Sequence, residues 1–404
     1  MIRTGDAILV LNAGSSSIKF ELFEATAGGP VSRYAGQVEG IGTGAPHFTA
    51  RGADGAVLAD RRWAEGGEGG APADHASALG AVIAWLEGLP APRPAIAAVG
   101  HRVVHGGPDL AAPVVVDAAV LARLRALVPL APLHQPHNLA GIEAAAARFP
   151  GVPQVACFDT AFHRSHPWEA DTFALPPEFH ARGIRRYGFH GLSYEYIARR
   201  IAREDPALGQ GRLVVAHLGN GASLCAIRAG RSVESTMGFT ALDGLPMGTR
   251  CGQIDPGVLL HLMAAEGWDA ARLAHLLYHE SGLKGMSGLS QDVRVLEASG
   301  RPEAARALSY FCWRARREIG AMAAVLGGMD ALVFTAGIGE NAAGVRARIC
   351  EGLEFLGVTL DPARNAAHAP EISAPGARVR VLVRATDEER MIAEHVMETL
   401  RGAG

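Results

Sequence analysis

"AILVLNAGSSSIKFELF", residues 7–23, sets two apolar runs on either side of a turn that holds Asn12, Gly14, three serines and, just beyond them, Lys19. The runs read as a strand pair. The turn between them has two readings. Asn, Gly and Ser are the usual residues of a solvated hairpin turn. The same small residues let backbone N–H groups and hydroxyls approach oxyanions, with a lysine to neutralise them, which makes a phosphate cradle. The rest of the chain decides between the two.

The pattern returns in the second half. "RLVVAHL" and "SLCAIRA" are apolar runs around the turn "GNGA", within residues 212–229. Two halves that each open on a strand pair around an Asn/Gly/Ser turn predict a duplicated fold, with the turns facing each other across an interdomain cleft where small molecules bind. Between these landmarks strands and helices alternate, which is an α/β plan. "HASALGAVIAWLEGL", "DAAVLARLRALV" and "HNLAGIEAAAARF" are helical, and "AIAAVGHRVVHGG" and "PQVACFD" are buried strands. Residues 56–72, which run into "WAEGGEGGAPA", read as a Gly-rich loop with no periodicity, and "ALVFTAGIGEN" as a strand emptying into a Gly-rich loop before the helical "AAGVRARICEGLEFLG". Within 301–328, Tyr310, Phe311 and Trp313 fall on a helix as core or interface residues. The tail "TDEERMIAEHVMETL" offers Thr386 as N-cap, with acidic residues in the first turn.

A chain of 404 residues is too long for one simple core, so two domains are expected. Its 49% hydrophobic and 20% charged residues are those of a globular protein. A net charge of −3 gives no general electrostatic basis for binding nucleic acid or an anionic membrane. No signal peptide or spanning apolar run is evident. Five scattered cysteines, without a CxxC pair or zinc spacing, suit reduced thiols in the cytoplasm.

Polar clusters recur beside glycines at strand ends: "GHRVVHGG" (100–107), "LHQPHN" (133–138), "FDTAFH" (158–163), "YGFHG" (187–191), "HLGNGAS" (217–223), "MGTRCGQIDPG" (247–257), "GIGEN" (337–341) and "TDEE" (386–389). Each has a structural explanation when taken alone. Together they exclude some chemistries. No HExxH, GxSxG or GxxxxGK[ST] pattern is present, which argues against a zinc hydrolase, a serine hydrolase and a P-loop enzyme. Phosphate cradles, cations and acidic groups for Mg²⁺ are the parts that phosphoryl transfer needs.

These segments, in this order from residue 8 to about 395, resemble the acetate kinase family of the sugar kinase/Hsp70/actin superfamily. The resemblance implies two similar ribonuclease H-like domains around an interdomain cleft, with 1–158 plus 386–404 as one and 159–385 as the other. It implies Mg²⁺, replaceable by Mn²⁺, held by Asn12 and Glu388, and ATP or ADP as co-substrate. Ser15, Ser17 and Lys19 would form a first phosphate loop, and His217, Leu218, Gly219, Asn220 and Gly221 a second. Asp292, Val293, Arg294, Gly337, Ile338, Gly339, Glu340 and Asn341 would surround the adenosine. Arg102 and Arg250 would grip the acyl substrate and the transferring phosphoryl. Val104, Leu133 and Phe189 would line the acyl pocket, with His134 in support. Asp159 would be the catalytic acidic residue, orienting Mg²⁺, water or an arginine, and His190 would stabilise the transition state. A homodimer is implied as well.

The chemistry is coherent with that assignment. A carboxylate with a pKa of about 4 is already ionised at neutral pH and needs no base before it attacks a γ-phosphate. It needs relief from repulsion instead: two unit charges 4 Å apart interact by roughly 4 kcal/mol at an effective dielectric of about 20. The opening serines and Lys19 are then a phosphate cradle. Three positions depart from the family pattern. Tyr194 stands where a second His is usual, Gln135 where Asn is usual, and Ala241 where the acyl pocket has a proline. A roomier pocket would admit propionate, although one methylene is worth only about 1–3 kcal/mol. A short-chain acyl kinase, a sugar kinase and an actin- or chaperone-like nucleotide switch are the competing readings, and a donor other than ATP stays open.

Overall fold

The computed structural model describes residues 2–14, 16–43, 45–63, 71–89, 95–132 and 134–401. Ser15 and Leu133 lie outside the described residues, as do residues 64–70 of the Gly-rich stretch. The chain forms two compact units, Met1–Ala161 with Asp387–Gly404, and Phe162–Thr386.

In the first unit the strands are β1 (Ala7–Ala13), β2 (Ser17–Thr26), β3 (Gly29–Glu39), β4 (His47–Gly52), β5 (Val57–Arg62), β6 (Ile96–Val103), β7 (Val114–Val115) and β8 (Gln154–Phe158). They form one sheet in the order β5-β4-β3-β2-β1-β6-β8-β7. β1 runs antiparallel to β2 and parallel to β6, and β6 runs parallel to β8. β5 is a strand where the sequence suggested loop: Phe48 and Ala50 of β4 are buried, while β5 is an exposed edge built almost without buried side chains, so its apolar signal is weak.

The second unit holds β9 (Arg212–Leu218), β10 (Ala222–Arg228), β11 (Arg231–Ser235), β12 (Ala331–Thr335) and β13 (Arg380–Val383), in the order β11-β10-β9-β12-β13. Here too the first strand is antiparallel to the second and parallel to the fourth, which is parallel to the fifth. Numbered by appearance, this sheet and the β3-β2-β1-β6-β8 part of the first share one order and one set of directions, so the duplication expected from the two turns is real.

Helices cover the sheets with apolar faces. In the first unit Leu79, Val82 and Ile83 of His75–Glu87 and Ala145 of Gln135–Arg148 pack with Leu9, Leu11 and Phe20. Asp74 and Ser77 close a capping box at the first of these helices. The last helix, Glu388–Arg401, lies so close to β6 that a Cβ at Gly100 would come within 2.6 Å of Ile392. Its cap is Asp387, whose carboxylate accepts from the Arg390 N–H at 2.9 Å. The Thr386 reading is corrected: its hydroxyl bonds Ser193 at 2.8 Å instead. "GIGEN" is likewise the short helix Ala336–Asn341 rather than a loop. The fully buried Arg346 holds it there by donating to the Gly339 and Glu340 carbonyls, so the glycines are braced from below.

Candidate active site

Parallel pairing brings distant residues of the first unit to one sheet edge. Leu11 of β1 pairs with His101 of β6, and Arg102 pairs with Cys157 of β8. Asn12, Arg102 and Asp159 therefore arrive together at the carboxyl ends of three parallel strands, where ligands bind in such sheets. Asp159, with 1% of its surface exposed, takes a two-pronged grip from Arg102: Nη2 to Oδ2 at 2.6 Å and Nε to Oδ1 at 3.2 Å. The remaining fork of Arg102 reaches Asn12 Oδ1 at 3.3 Å, and Glu388 lies 3.7 Å from Nε. Burial opposes the charge of Arg102, but Asp159 and Glu388 outweigh it and hold the guanidinium above its ordinary value. An arginine, one of the partners expected for Asp159, is within hydrogen-bond reach of both its oxygens.

Burial pushes the Glu388 carboxyl up, with Asp159 and Glu389 adding and Arg102 opposing. A carboxyl desolvated in this way gains from a divalent cation, and the donor set of Asn12 and Glu388 offers the hard oxygens that Mg²⁺ prefers. These residues fit the ion. Nearby, oxygens of Glu21, Asp387 and Glu389 lie within 4.8 Å of one another, and burial raises Glu21 to about 7.

The opening turn is tied down on several sides. Gly14 N–H donates to the Ser17 carbonyl at 2.8 Å, and His75 Nε2 lies 2.6 Å from the Gly14 carbonyl. Asn138 joins the turn to the next one: its amide donates to the Ala13 carbonyl at 2.8 Å and its oxygen accepts from buried Val104 N–H at 3.0 Å. Lys19 sits opposite Asn12 in the ladder, with its side chain exposed. His134 starts the helix Gln135–Arg148, and Gln135 donates to the His105 and Leu124 carbonyls. The sequence missed Asn138, His75 and Glu389, which bonds Asn12 at 3.5 Å. Asn138 stands inside a quoted motif, and a buried amide on a helix facing a strand end is the signal that could have found it.

The second unit carries a different kind of site. His190 precedes the helix Gly191–Glu204 in the left-handed region, at φ 58°, a conformation costly for a residue with a Cβ. Its Nδ1 lies 2.8 Å from Ser223 Oγ, and its ring stacks on His217 at 4.2 Å between centroids. His217 Nδ1 lies 2.8 Å from Ser193 Oγ. Leu218 is buried at the end of β9, and the turn after it closes through Gly219 N–H to the Gly221 carbonyl at 2.9 Å. A Cβ at Gly221 would lie 3.1 Å from His190 Nε2, so the ring faces the loop. Phe189 is buried, and its carbonyl lies 2.9 Å from His163 Nε2. Arg250 donates to the Ala241 carbonyl at 2.9 Å, which places the departing position against the arginine by its backbone.

A cavity of about 480 Å³ opens beside this turn, lined by Gly219, Asn220, Gln291, Asp292, Val293, Arg294, Glu297, Gly337, Ile338, Asn341 and Ala342. That volume is in the range of small-molecule sites. Three sequence segments expected around a nucleotide thus share one wall. Gly339 and Glu340 lie on the helix behind it. Asp292 caps the helix Val293–Ala298, and its bonds to Arg294 hold its carboxyl below the usual range.

A twice-used sheet order of this kind, with small-residue turns at the ends of its central strands, defines a two-domain α/β protein of the actin and sugar-kinase class. The chain matches the Acetokinase family over residues 7–394. It is 54% identical over 396 residues to an acetate kinase of Nitrobacter hamburgensis, covering 98% of this chain and 96% of that one. Among solved structures, the acetate kinase of Porphyromonas gingivalis superposes with a TM-score of 0.86 at 37% identity, covering 98% of this chain and 100% of that one. A propionate kinase from Francisella tularensis gives a TM-score of 0.88 at 35% identity, covering 96% and 98%. The chain belongs to the acetokinase family.

Proposed function

We propose that the chain transfers the γ-phosphoryl group of ATP to acetate, reversibly, giving acetyl phosphate and ADP by direct in-line displacement. The observation that carries this reading is the Arg102–Asp159 fork. Both oxygens of the buried Asp159 at the sheet edge are occupied by a guanidinium. Asp159 is a poor base for a hydroxyl acceptor in that state, and an acceptor that arrives as a carboxylate needs none. This favours an acyl kinase over a sugar kinase.

In the first unit Arg102 and Val104 contact the acetate, Leu133 and His134 support it, and Ser15, Ser17 and Lys19 take phosphate oxygens. Asn12 and Glu388 hold Mg²⁺, which when bound neutralises phosphate charge as the leaving ADP develops. In the second unit His217 to Gly221 take phosphate, and Asp292 to Arg294 with Gly337 to Asn341 take the adenosine. Arg250 and His190 donate to the oxygens of the transferring phosphoryl, and Phe189 lines the acyl side. The charge they face is spread over three oxygens, which suits fixed donors more than covalent chemistry.

Propionate is the second substrate reading, supported by Ala241 in place of the pocket proline and by likeness to the Francisella propionate kinase. A homodimer in the cytoplasm completes the reading. The helix Pro256–Glu266 supports the dimer: it is strongly apolar and buries none of its residues, with Leu260 at 66% exposure. None of the five cysteines, all of them among the described residues, forms a disulfide, as a reducing compartment allows.

The test is acyl phosphate trapped with hydroxylamine from Mg-ATP with acetate or propionate, for the wild type and Arg250→Ala. Product with acetate that collapses in the variant is the expected result. ATP consumption indifferent to added acid would overturn the reading in favour of a nucleotide switch.

A further inference from the structure

Tyr194 is fully buried in the second unit, with its ring 5.7 Å from that of His163 and 6.3 Å from that of His217. Its hydroxyl lies 2.5 Å from Ser223 Oγ. The same Ser223 oxygen lies 2.8 Å from Nδ1 of His190. Three groups therefore stand in line: phenol, hydroxyl, imidazole.

The protons in this line can be assigned by counting. Burial holds the Tyr194 phenol well above its ordinary pKa, so it keeps its proton. Among the described residues, Ser223 Oγ is the acceptor within reach of that proton. Tyr194 therefore donates to Ser223, and leaving a buried donor unmet would cost the full desolvation of the group. Ser223 has a proton of its own, and with Tyr194 donating to it the acceptor within reach of that proton among the described residues is Nδ1 of His190. Nδ1 is then the acceptor of a neutral imidazole, and the ring proton must sit on Nε2. Nε2 is the atom that faces the loop, 3.1 Å from where a Cβ at Gly221 would stand. The imidazolium form fits worse. Ser223 would then face two donors, and its own proton would lack an acceptor among the described residues.

We infer that Tyr194 is a positioning residue: through Ser223 it fixes the tautomer of His190 so that an Nε2–H donor is presented to the loop Gly219–Gly221. The inference rests on the role proposed above for His190 as a donor to phosphoryl oxygens. It also gives the Tyr at this position its own chemistry. A histidine there could either donate or accept, whereas a phenol kept protonated by burial has one sense, and that sense propagates through the serine.

The experiment uses nitrogen-15 labelled imidazoles in the full-length protein, with kinetics on the same samples. In the wild type, Nδ1 of His190 should resonate as an unprotonated nitrogen and Nε2 as a protonated one. Tyr194→Phe keeps the ring but removes the phenol donor and leaves room for a water that can take the Ser223 proton, so that Ser223 can also accept from Nδ1–H and the two tautomers should mix. Acetyl phosphate formation should lose about 10- to 100-fold in kcat, with the KM for ATP and for acetate unchanged within about twofold. Ser223→Ala should do the same, and the double variant should be no slower than the slower single one. Should Tyr194→Phe fail to fold, Ser223→Ala carries the spectroscopic test by itself. An unchanged tautomer in the variants, or kcat losses that multiply, overturns the inference. The spectra need no substrate, so a wild type that makes no acyl phosphate but shows the tautomer shift would sink the kinase reading and leave the relay standing.

Discussion

The two hairpins β1–β2 and β9–β10 occupy the same place in the same sheet order, yet they organise opposite kinds of chemistry. The first is joined to full charges, the Arg102–Asp159 fork with Glu388 beside it. The second is joined to two stacked imidazoles, each with a ring nitrogen 2.8 Å from a serine hydroxyl. The scaffold fixes where functional side chains emerge; what emerges decides whether the site works by charge or by directed dipoles. Charges act strongly but respond to burial and salt, whereas neutral donors depend on orientation.

That contrast can be broken most severely at Arg102. Arg102→Leu leaves Asp159 buried without its cation, which costs about 3–5 kcal/mol of stability. Activity should fall by about 10³-fold or more, as expected where a fixed donor to transition-state charge is lost. Chemical unfolding and acyl phosphate kinetics read the two effects, and an active, stable variant would refute the charge-based account of the first unit.

Acid separates the units next. In the second, burial lowers His163 to about 4 and His166 to about 2. A histidine held neutral by folding loses its stabilising share as pH falls below its unfolded value of about 6.5. At pH 5 the two together cost about 4 kcal/mol. In the first unit His101, lowered to about 4 by burial, loses a similar single share. Glu21, raised to about 7, works the other way: its contribution is lost as pH rises through 7 and regained as pH falls toward its unfolded value. Hydrogen exchange at pH 7 and pH 5 should therefore show β9–β12 losing protection before β1–β8. Equal loss in both sheets would contradict the assignment.

Gly248 offers a gentler probe. A Cβ there would come within 2.2 Å of Asn220 Oδ1, the end of a movable side chain. Gly248→Ala should displace Asn220, raise the KM for ATP by about tenfold and barely alter stability, since only a flexible group has to give. A drop in kcat at constant KM would instead place Asn220 away from the nucleotide. The smallest effect is expected at the last helix. Asp387→Ala should be less stable than Asp387→Asn by about 1 kcal/mol, because asparagine still caps and alanine does not. Equal stabilities would mean that the cap bond to Arg390 contributes nothing.

Much of this was legible in the sequence, for identifiable reasons. The apolar runs of β1, β9 and β10 are buried on both faces and that of β2 alternates, so hydrophobicity alone exposes them. The three segments lining the nucleotide-sized cavity carry glycines and capping residues whose spacing is local. What failed was of two kinds. β5 is an exposed edge with little apolar signal, and "GIGEN" is a helix braced by a buried arginine that donates to carbonyls 6 and 7 residues back, which composition cannot show. The cap at Asp387 and the link from Thr386 to Ser193 depend on a side-chain choice between two adjacent candidates. Asn138 and the line from Tyr194 to His190 are long-range hydrogen bonds, and nothing in local spacing foretells them.

The fork between Arg102 and Asp159 also bears on how this scaffold could be redesigned. An aspartate with both oxygens committed is a lock against neutral acceptors: alcohols and sugars would find no group free to take their proton. Enlarging the acyl pocket would widen the range of carboxylic acids accepted without opening that lock. A route toward hydroxyl substrates would begin by releasing one oxygen of Asp159, and only afterwards by reshaping the walls.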